Sequence, residues 1–484
     1  MAERLGVLVV AYGSREAAII DALSRSSEYD VSFYVADKQA NPYNVDMAER
    51  SGGEHRVIGG LDVGGIFQFA KEHESDIDFG IVGPEAPIIA GVRDVVESGT
   101  RIKLICPTRQ YAIEGSKAKQ RALIARSAPE ANPEFRVFSL PYQLDKEVEG
   151  DGIHQYRTMG DAVADFRRWY GKLGGECAIK PDTATAGKGV VVSGDHFTSL
   201  SEAEGHFTGI LEKCAAVVEQ KLFGEESSLQ CFSDGRVLMP LHHVRDYKRA
   251  FAGDTGQNTG GMGSYMDNNP CLPFLTDDGC QAAYGIARKF FEALKGPADY
   301  NPGVLGMPLY LAFIHTRDGP KILECNSRPG DPESINVLPP LKNDFAVFCE
   351  SILLGDIQEP ILRPQASVVM YKVPMTYGSS SAASVSDSRV DLGPAMLLQA
   401  RYGDDRMRVY PGSMEIRQTG GIRETHMLSS RTVAVVGMGD TIEQARQISL
   451  DGIGAVRGRL RFRNDVASPG HIAASVENMK RLRA

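Results

Sequence analysis

The chain has 484 residues, with 53 Lys and Arg against 62 Asp and Glu and a formal charge of −9. At roughly 150 residues per domain this length predicts about three folding units, and 42% hydrophobic with 24% charged residues excludes a disordered chain. The acidic balance argues against a general nucleic-acid binder, and no run nears the ~18 apolar residues of a membrane helix.

Residues 5–10 are a short apolar run of the kind that forms a buried parallel strand, and they begin too soon after Met1 for a secretory leader. Helical spacing of Ala18, Ile19, Ala22 and Leu23 predicts a helix over 15–26. Strands are predicted at 31–36, 77–82 and 104–106, the last stopped by Pro107. This alternation gives a doubly wound parallel-sheet domain over 1–107, where ligands lie beyond the carboxyl ends of strands. From 108 to 340 glycine-rich loops separate short strands at 178–180, 190–193, 216–219, 229–232, 237–241 and 322–324. The stretch 150–175 is polar and interrupted, and reads as an insertion or flexible excursion. Residues 341–484 predict a smaller α+β domain with helices at 345–354 and 441–452, strands at 367–373 and 432–436, and a mobile low-complexity loop at 379–386. Eight scattered cysteines without a CxxC pair read as reduced, mostly buried thiols of a cytoplasmic protein, and not as a disulfide framework or zinc site.

The loop 181–189 lies between two strands and fails the P-loop pattern, because Asp182 stands at the first Gly and Gly189 follows Lys188. A hairpin of small residues still closes over a triphosphate, since its N–H groups approach oxygen unobstructed; a plain turn is the alternative. Lys180 interrupts an apolar strand and, with Lys117, is a candidate partner for phosphate charge, though a lone Lys is commonly a solvated group. Glu219, Leu222 and the pair Glu225-Glu226 follow a strand, where they suit an adenine edge and ribose hydroxyls or form an ordinary charged hairpin. Residues 254–263 carry four glycines within eight residues, which disfavours any regular element and suits a loop that sets N–H groups and Asn258 beside a polar substrate.

Glu324 and Asn326 share one face of a strand through the period-two alternation of side chains. Two such oxygens suit Mg²⁺, which takes its other ligands from water and phosphate. Arg328 follows with a planar fork for a carboxylate or phosphoryl group. Gly13, Ser14, Arg15 and Glu16 lie between strand and helix, where N–H groups favour an anion, and Gly83-Pro84-Glu85 ends a strand near sugar hydroxyls or forms only a turn. His242 and His243 point to opposite faces, which argues against joint metal ligation.

In this order the segments GSREA (13–17), VGPEAPIIAGV (82–92), EGSKA (114–118), AIKPDTATAGKGVVV (178–192), DTGQNTGGMG (254–263), ECNSRPGDPE (324–333) and VGMGDTIEQA (436–445) resemble the glycinamide ribonucleotide synthetase (phosphoribosylamine–glycine ligase) family of ATP-grasp enzymes. The resemblance implies a two-subdomain ATP-grasp core over 108–340 with a lid at roughly 125–217. It implies ATP between the subdomains, with Lys117 and Lys180 near its phosphates, Gly187, Lys188 and Gly189 folding over it, and Glu219, Leu222 and Glu226 on adenine and ribose. Glu324 and Asn326 would bind Mg²⁺ or Mn²⁺, and Arg328, Asp254 and Asn258 would act in catalysis. Gly13, Ser14, Arg15, Glu16, Pro84, Glu85, Asn258, Gly260, Gly261, Asp331 and Glu333 would meet the substrates, glycine and phosphoribosylamine. The same resemblance implies a monomer or small homo-oligomer without nucleic-acid or membrane partners. The chain departs from the family pattern at Ala11, Tyr12 and Ala17 in the first loop, at Thr183 and Thr185, and at Pro329. Those departures leave open a paralogous amide ligase for another carboxylate and amine, or a nucleotide-binding protein without turnover.

Overall fold

The computed structural model describes residues 3–145, 148–184, 189–379 and 388–484. The first unit is a five-stranded sheet in the order Glu54–Val57, Tyr29–Asp37, Glu3–Ala11, Phe79–Val82, Lys103–Ile105, with every pair parallel. Val7, Val9 and Ala11 enter one core with Ile19 and Leu23, while Leu8 and Val10 enter another with Phe69 and Leu104. That split is what period-two alternation gives an apolar strand covered on both faces. Strand order reverses at Glu3–Ala11, so the crevice beyond Ala11 and Val82 is the switch point where ligands bind in such sheets. Residues 12–16 and 83–85 run into it. At Gly83 a Cβ would meet Glu16 Oε1 at 1.8 Å, which explains the glycine.

A second five-stranded sheet runs Ile153–Gln155, Phe135–Ser139, Ala216–Gln220, Cys177–Pro181, Val191–Val192. Its last two strands form the expected hairpin around 181–189. Helices Met159–Lys172 and Leu200–Leu211 cover one face, with Phe166 stacked on Phe207 at 4.2 Å between ring centroids. The excursion expected at 150–175 is corrected here. Thr158 caps the first helix by accepting from Asp161 N, and Ala162, Phe166 and Trp169 bury one face at helical spacing. Charged residues at the intervening positions hide that stripe from a reading by overall polarity.

The third sheet is nine-stranded: Gly319–Asn326, Leu305–Thr316, Glu225–Asp234, Leu238–Asp246, Gly263–Met266, Ala366–Pro374, Val433–Gly439 and Met407–Pro411, with Leu460–Phe462 joining Ala366–Pro374. It passes residue 340 without a break, since Gly263 pairs Met370 and Met266 pairs Ser367. Helix Asp277–Lys295 backs it through Ile286 and Phe290. Thr255–Asn258 is a short strand paired with Arg249–Phe251 although Gly256 lies within it at φ +82°; Gly260, Gly261 and Gly263 fall beyond its end. The expected loop at 379–386 lies, Ser379 apart, outside the described residues.

The cysteines also need a correction. Cys271 and Cys280 form a disulfide, with Cα atoms 6.1 Å apart, because the loop before Asp277–Lys295 folds back onto that helix near its start. The other cysteines are free thiols, all buried except Cys214, which is half-buried. No helix among the described residues is long and apolar enough to cross a membrane.

Candidate active site

A cavity of about 650 Å³ opens where the three sheets meet. Glu324 and Asn326 project into it from Gly319–Asn326, and neither side chain has a hydrogen-bond or ion-pair partner among the described residues. Burial would raise the Glu324 pKa, but Lys248, Lys117, Lys180 and Arg328 outweigh it and hold the carboxyl below its ordinary value. A free carboxylate beside a free amide oxygen fits a hard cation. Among the described residues no three His, Cys, Asp or Glu converge as a metal site, so a cation here would complete its shell with phosphate oxygens and water.

Arg328 leads from this strand toward the first unit. Its Nη2 donates to Glu114 Oε1 at 3.2 Å, and its Nε lies 3.9 Å from Glu85 Oε2. That buried Nε–H has no hydrogen-bond partner, which leaves a donor for a ligand oxygen. Burial pushes Glu114 up to about 7 although Arg328 pulls it back. At Glu85 the two arginines Arg328 and Arg15 outweigh burial and hold the carboxyl low.

Gly13, Ser14, Arg15 and Glu16 face the cavity as the sequence suggests, but the loop spends much of its bonding capacity on itself. Glu16 Oε2 accepts from Gly13 N at 2.8 Å and Tyr12 N at 3.2 Å. Arg15 donates to Glu16 Oε1 at 2.6 Å and to the Pro329 carbonyl at 3.0 Å. Tyr12 lines the mouth with Lys38 Nζ 4.0 Å above its ring.

On the side of the second sheet, Lys180 Nζ lies 2.7 Å from Glu219 Oε2 and donates to the Leu323 carbonyl at 3.2 Å. Arg121 meets Glu219 Oε1 at 2.6 Å and donates to the carbonyls of Ile322 and Leu323 at 2.8 and 2.6 Å. Burial opposes the Glu219 charge, but Arg121 and Lys180 keep its pKa low. Both of its carboxylate oxygens are engaged by protein, while Glu226, expected beside it, is 41% exposed and held by Lys248 at 2.9 Å. Leu222 lines the same end.

Asp254 lines the cavity from a hairpin rim, 45% exposed, with its carboxylate 2.9 Å from Arg463. Asn258, Gly260, Asp331 and Glu333 do line the cavity. Lys117 lines it too, with Nζ on the Thr183 carbonyl. Pro84, Gly189 and Gly261 are not among the lining residues. Gly187 and Lys188 lie outside the described residues.

The sequence reading missed Asp246, Lys248, Tyr371 and Arg431, all of which line the cavity. Asp246 and Glu333 are a buried acid pair raised by burial, with mutual repulsion adding to it for Asp246, and Asp246 Oδ1 is buried without a partner. The run Arg245-Asp246-Tyr247-Lys248-Arg249 was the available signal, since such a charge cluster is unusual at the end of a buried strand.

The family description "Phosphoribosylglycinamide synthetase, N domain" matches residues 5–114, and its "ATP-grasp (A) domain" matches 153–334. The phosphoribosylamine–glycine ligase of Methanocella arvoryzae is 33% identical over 99% of both chains. The chain belongs to the phosphoribosylamine–glycine ligase family. The family's ligase from Thermococcus kodakarensis is 31% identical over 99% of both chains. In fold, the crystal structure of the Thermotoga maritima phosphoribosylamine–glycine ligase matches with a TM-score of 0.69 at 21% identity, covering 95% of this chain and 100% of that one. The biotin carboxylase domain of Hydrogenobacter thermophilus 2-oxoglutarate carboxylase, in complex with MgADP, ADP and bicarbonate, matches at 0.63 and 15% identity, covering 98% and 93%.

Proposed function

We propose that this chain joins glycine to 5-phosphoribosylamine with ATP, giving glycinamide ribonucleotide, ADP and phosphate. A glycine carboxylate oxygen attacks the γ-phosphorus and ADP leaves. The phosphoribosylamine nitrogen then attacks the activated carbonyl carbon, phosphate departs and the nitrogen releases one proton. A carboxylate is a poor electrophile, and phosphorylation gives it a leaving group. The observation that carries the reading is the unpartnered Glu324 and Asn326 pair, ringed by Lys117, Lys180, Lys248 and Arg328 and facing the Gly13–Glu85 crevice across one cavity.

Glu324 and Asn326 would hold Mg²⁺ or Mn²⁺, which when bound offsets phosphate charge. Lys117 and Lys180 face the triphosphate from the lid side, with Lys180 kept in place by Glu219. Arg328 presents its free Nε–H to the transferring group. Leu222 and Glu226 bound the adenosine end, and Gly13, Ser14 and Glu85 the ribosyl end. The test is phosphate release from ATP with Mg²⁺, glycine and freshly generated phosphoribosylamine. Release should need every component, and hydroxylamine should trap a glycyl hydroxamate when it replaces the sugar amine. Nucleotide binding without glycine-dependent ADP formation would refute the proposal.

A further inference from the structure

We infer that Arg431 is a positioning residue, which bolts the turn at Gly260 and Gly261 to the Asp331 loop and so shapes the face of the cavity that receives glycine. The inference rests on the ligase reading above. Arg431 enters from the segment after residue 340, remote in sequence from both loops. Its Nη1 donates to the carbonyls of Gly260, Gly261 (3.4 Å) and Asp331 (3.0 Å). Its Nη2 donates to Asp331 Oδ2 at 2.6 Å. The Tyr371 hydroxyl donates to Asp331 Oδ1 at 2.7 Å, and the guanidinium lies 4.7 Å from the Tyr371 ring centroid.

Both carboxylate oxygens of Asp331 are thus engaged by protein. Asp331, expected from the sequence to touch substrate, is a strut. The neighbouring glycines fit this role. A Cβ on Gly260 would sit 3.1 Å from Arg431 Cζ. Gly261 has φ +104°, and a Cβ there would come within 2.6 Å of Asp246 Oδ1, the buried acceptor without a partner. The Arg431 backbone is anchored as well. Its carbonyl accepts from Ser413 N at 2.6 Å, and the adjacent Gly412 carbonyl accepts from Gln39 Nε2 (2.6 Å) and Asn41 Nδ2 (3.1 Å) of the first unit. One side chain therefore relays the seating of the parallel-sheet domain to both substrate loops. Lysine cannot reproduce this, because a point ammonium does not lie flat on a ring while reaching carbonyls and a carboxylate together.

The experiment uses the full chain, comparing wild type with Arg431→Lys, Asp331→Asn, their double variant and Tyr371→Phe. ATP affinity by calorimetry, thermal melting, kcat, and KM for glycine are read for each. Arg431→Lys should raise KM for glycine about tenfold or more while ATP affinity stays within about twofold. Asp331→Asn should behave alike, and the double variant should be within about threefold of either single one, because one unit is removed once. Tyr371→Phe, which keeps every charge, should raise the same KM by a smaller factor. An unchanged glycine KM in Arg431→Lys, or losses that multiply in the double variant, overturns the clamp. If Arg431→Lys does not fold, Tyr371→Phe decides, and an unchanged KM there overturns it. A wild type that binds ATP but forms no ADP with glycine refutes the ligase reading itself, and an active wild type with an indifferent Arg431→Lys refutes the clamp alone.

Discussion

Glu114 and Glu324 line one cavity, yet their surroundings push them in opposite directions. Burial lifts Glu114 to about 7, above its unfolded value, so folded protein retains a proton that the unfolded chain has already lost. Its stabilising share is full below about pH 4.5 and disappears as pH rises through 7. Glu114→Gln should therefore lose less melting temperature than wild type between pH 6 and pH 8, as calorimetry at the two values would show. Glu324 is held ionised by four cations with no bonded partner. Glu324→Gln should lower metal-dependent turnover by on the order of 100-fold with a melting shift of only a few degrees, and a metal titration of activity checks it. Glu324, Asn326, Arg328 and Lys180 were legible in the sequence because the chemistry of each sits within a few neighbouring residues. Arg121 and Arg431 were not, because a solitary arginine shows its meaning only through carbonyls brought to it from far along the chain.

At the scale of single elements, strands were readable where both faces are covered, as in Glu3–Ala11, since an unbroken apolar run is itself the signal. Helix Met159–Lys172 escaped because one buried stripe among arginines and aspartates looks polar on average. Phe166 anchors it between Phe138 and Phe207. Phe166→Ala should cost about 3–5 kcal/mol of stability in the unit built on the second sheet, read in a denaturant titration. A different element-level device joins strands Glu225–Asp234, Leu238–Asp246 and Leu305–Thr316, where His243 and His315 meet the Ser227 hydroxyl at 3.1 and 2.8 Å. Burial pushes both imidazoles down to about 3. Unfolded histidines take up protons from about pH 6.5 downward while these do not, so their stabilising share is present above 6.5 and drains away toward pH 3. His315→Gln should move the acid-unfolding midpoint to lower pH, measured by circular dichroism.

Across the whole molecule, the first unit is held to the segment after 340 by a buried charge. Asp21 accepts from Arg408 Nη1 at 2.6 Å, from Tyr410 at 2.9 Å and from Tyr43 at 3.3 Å. Asp21→Ala would leave Arg408, which is 8% exposed, with only the Asp404 carboxylate at 3.7 Å as a counter-charge and should cost about 3 kcal/mol, visible as a lower melting temperature. The general α/β plan was legible from alternating apolar runs. The pairing of Gly263–Met266 with Ala366–Pro374 was not, because strand partners so far apart leave no local trace. That pairing bears on any attempt to dissect the protein. A fragment stopping at 340 would leave Gly263–Met266 as a raw rim of open amides and carbonyls, which is a template for strand-to-strand aggregation. The fragment released in that way would accumulate as inclusion bodies.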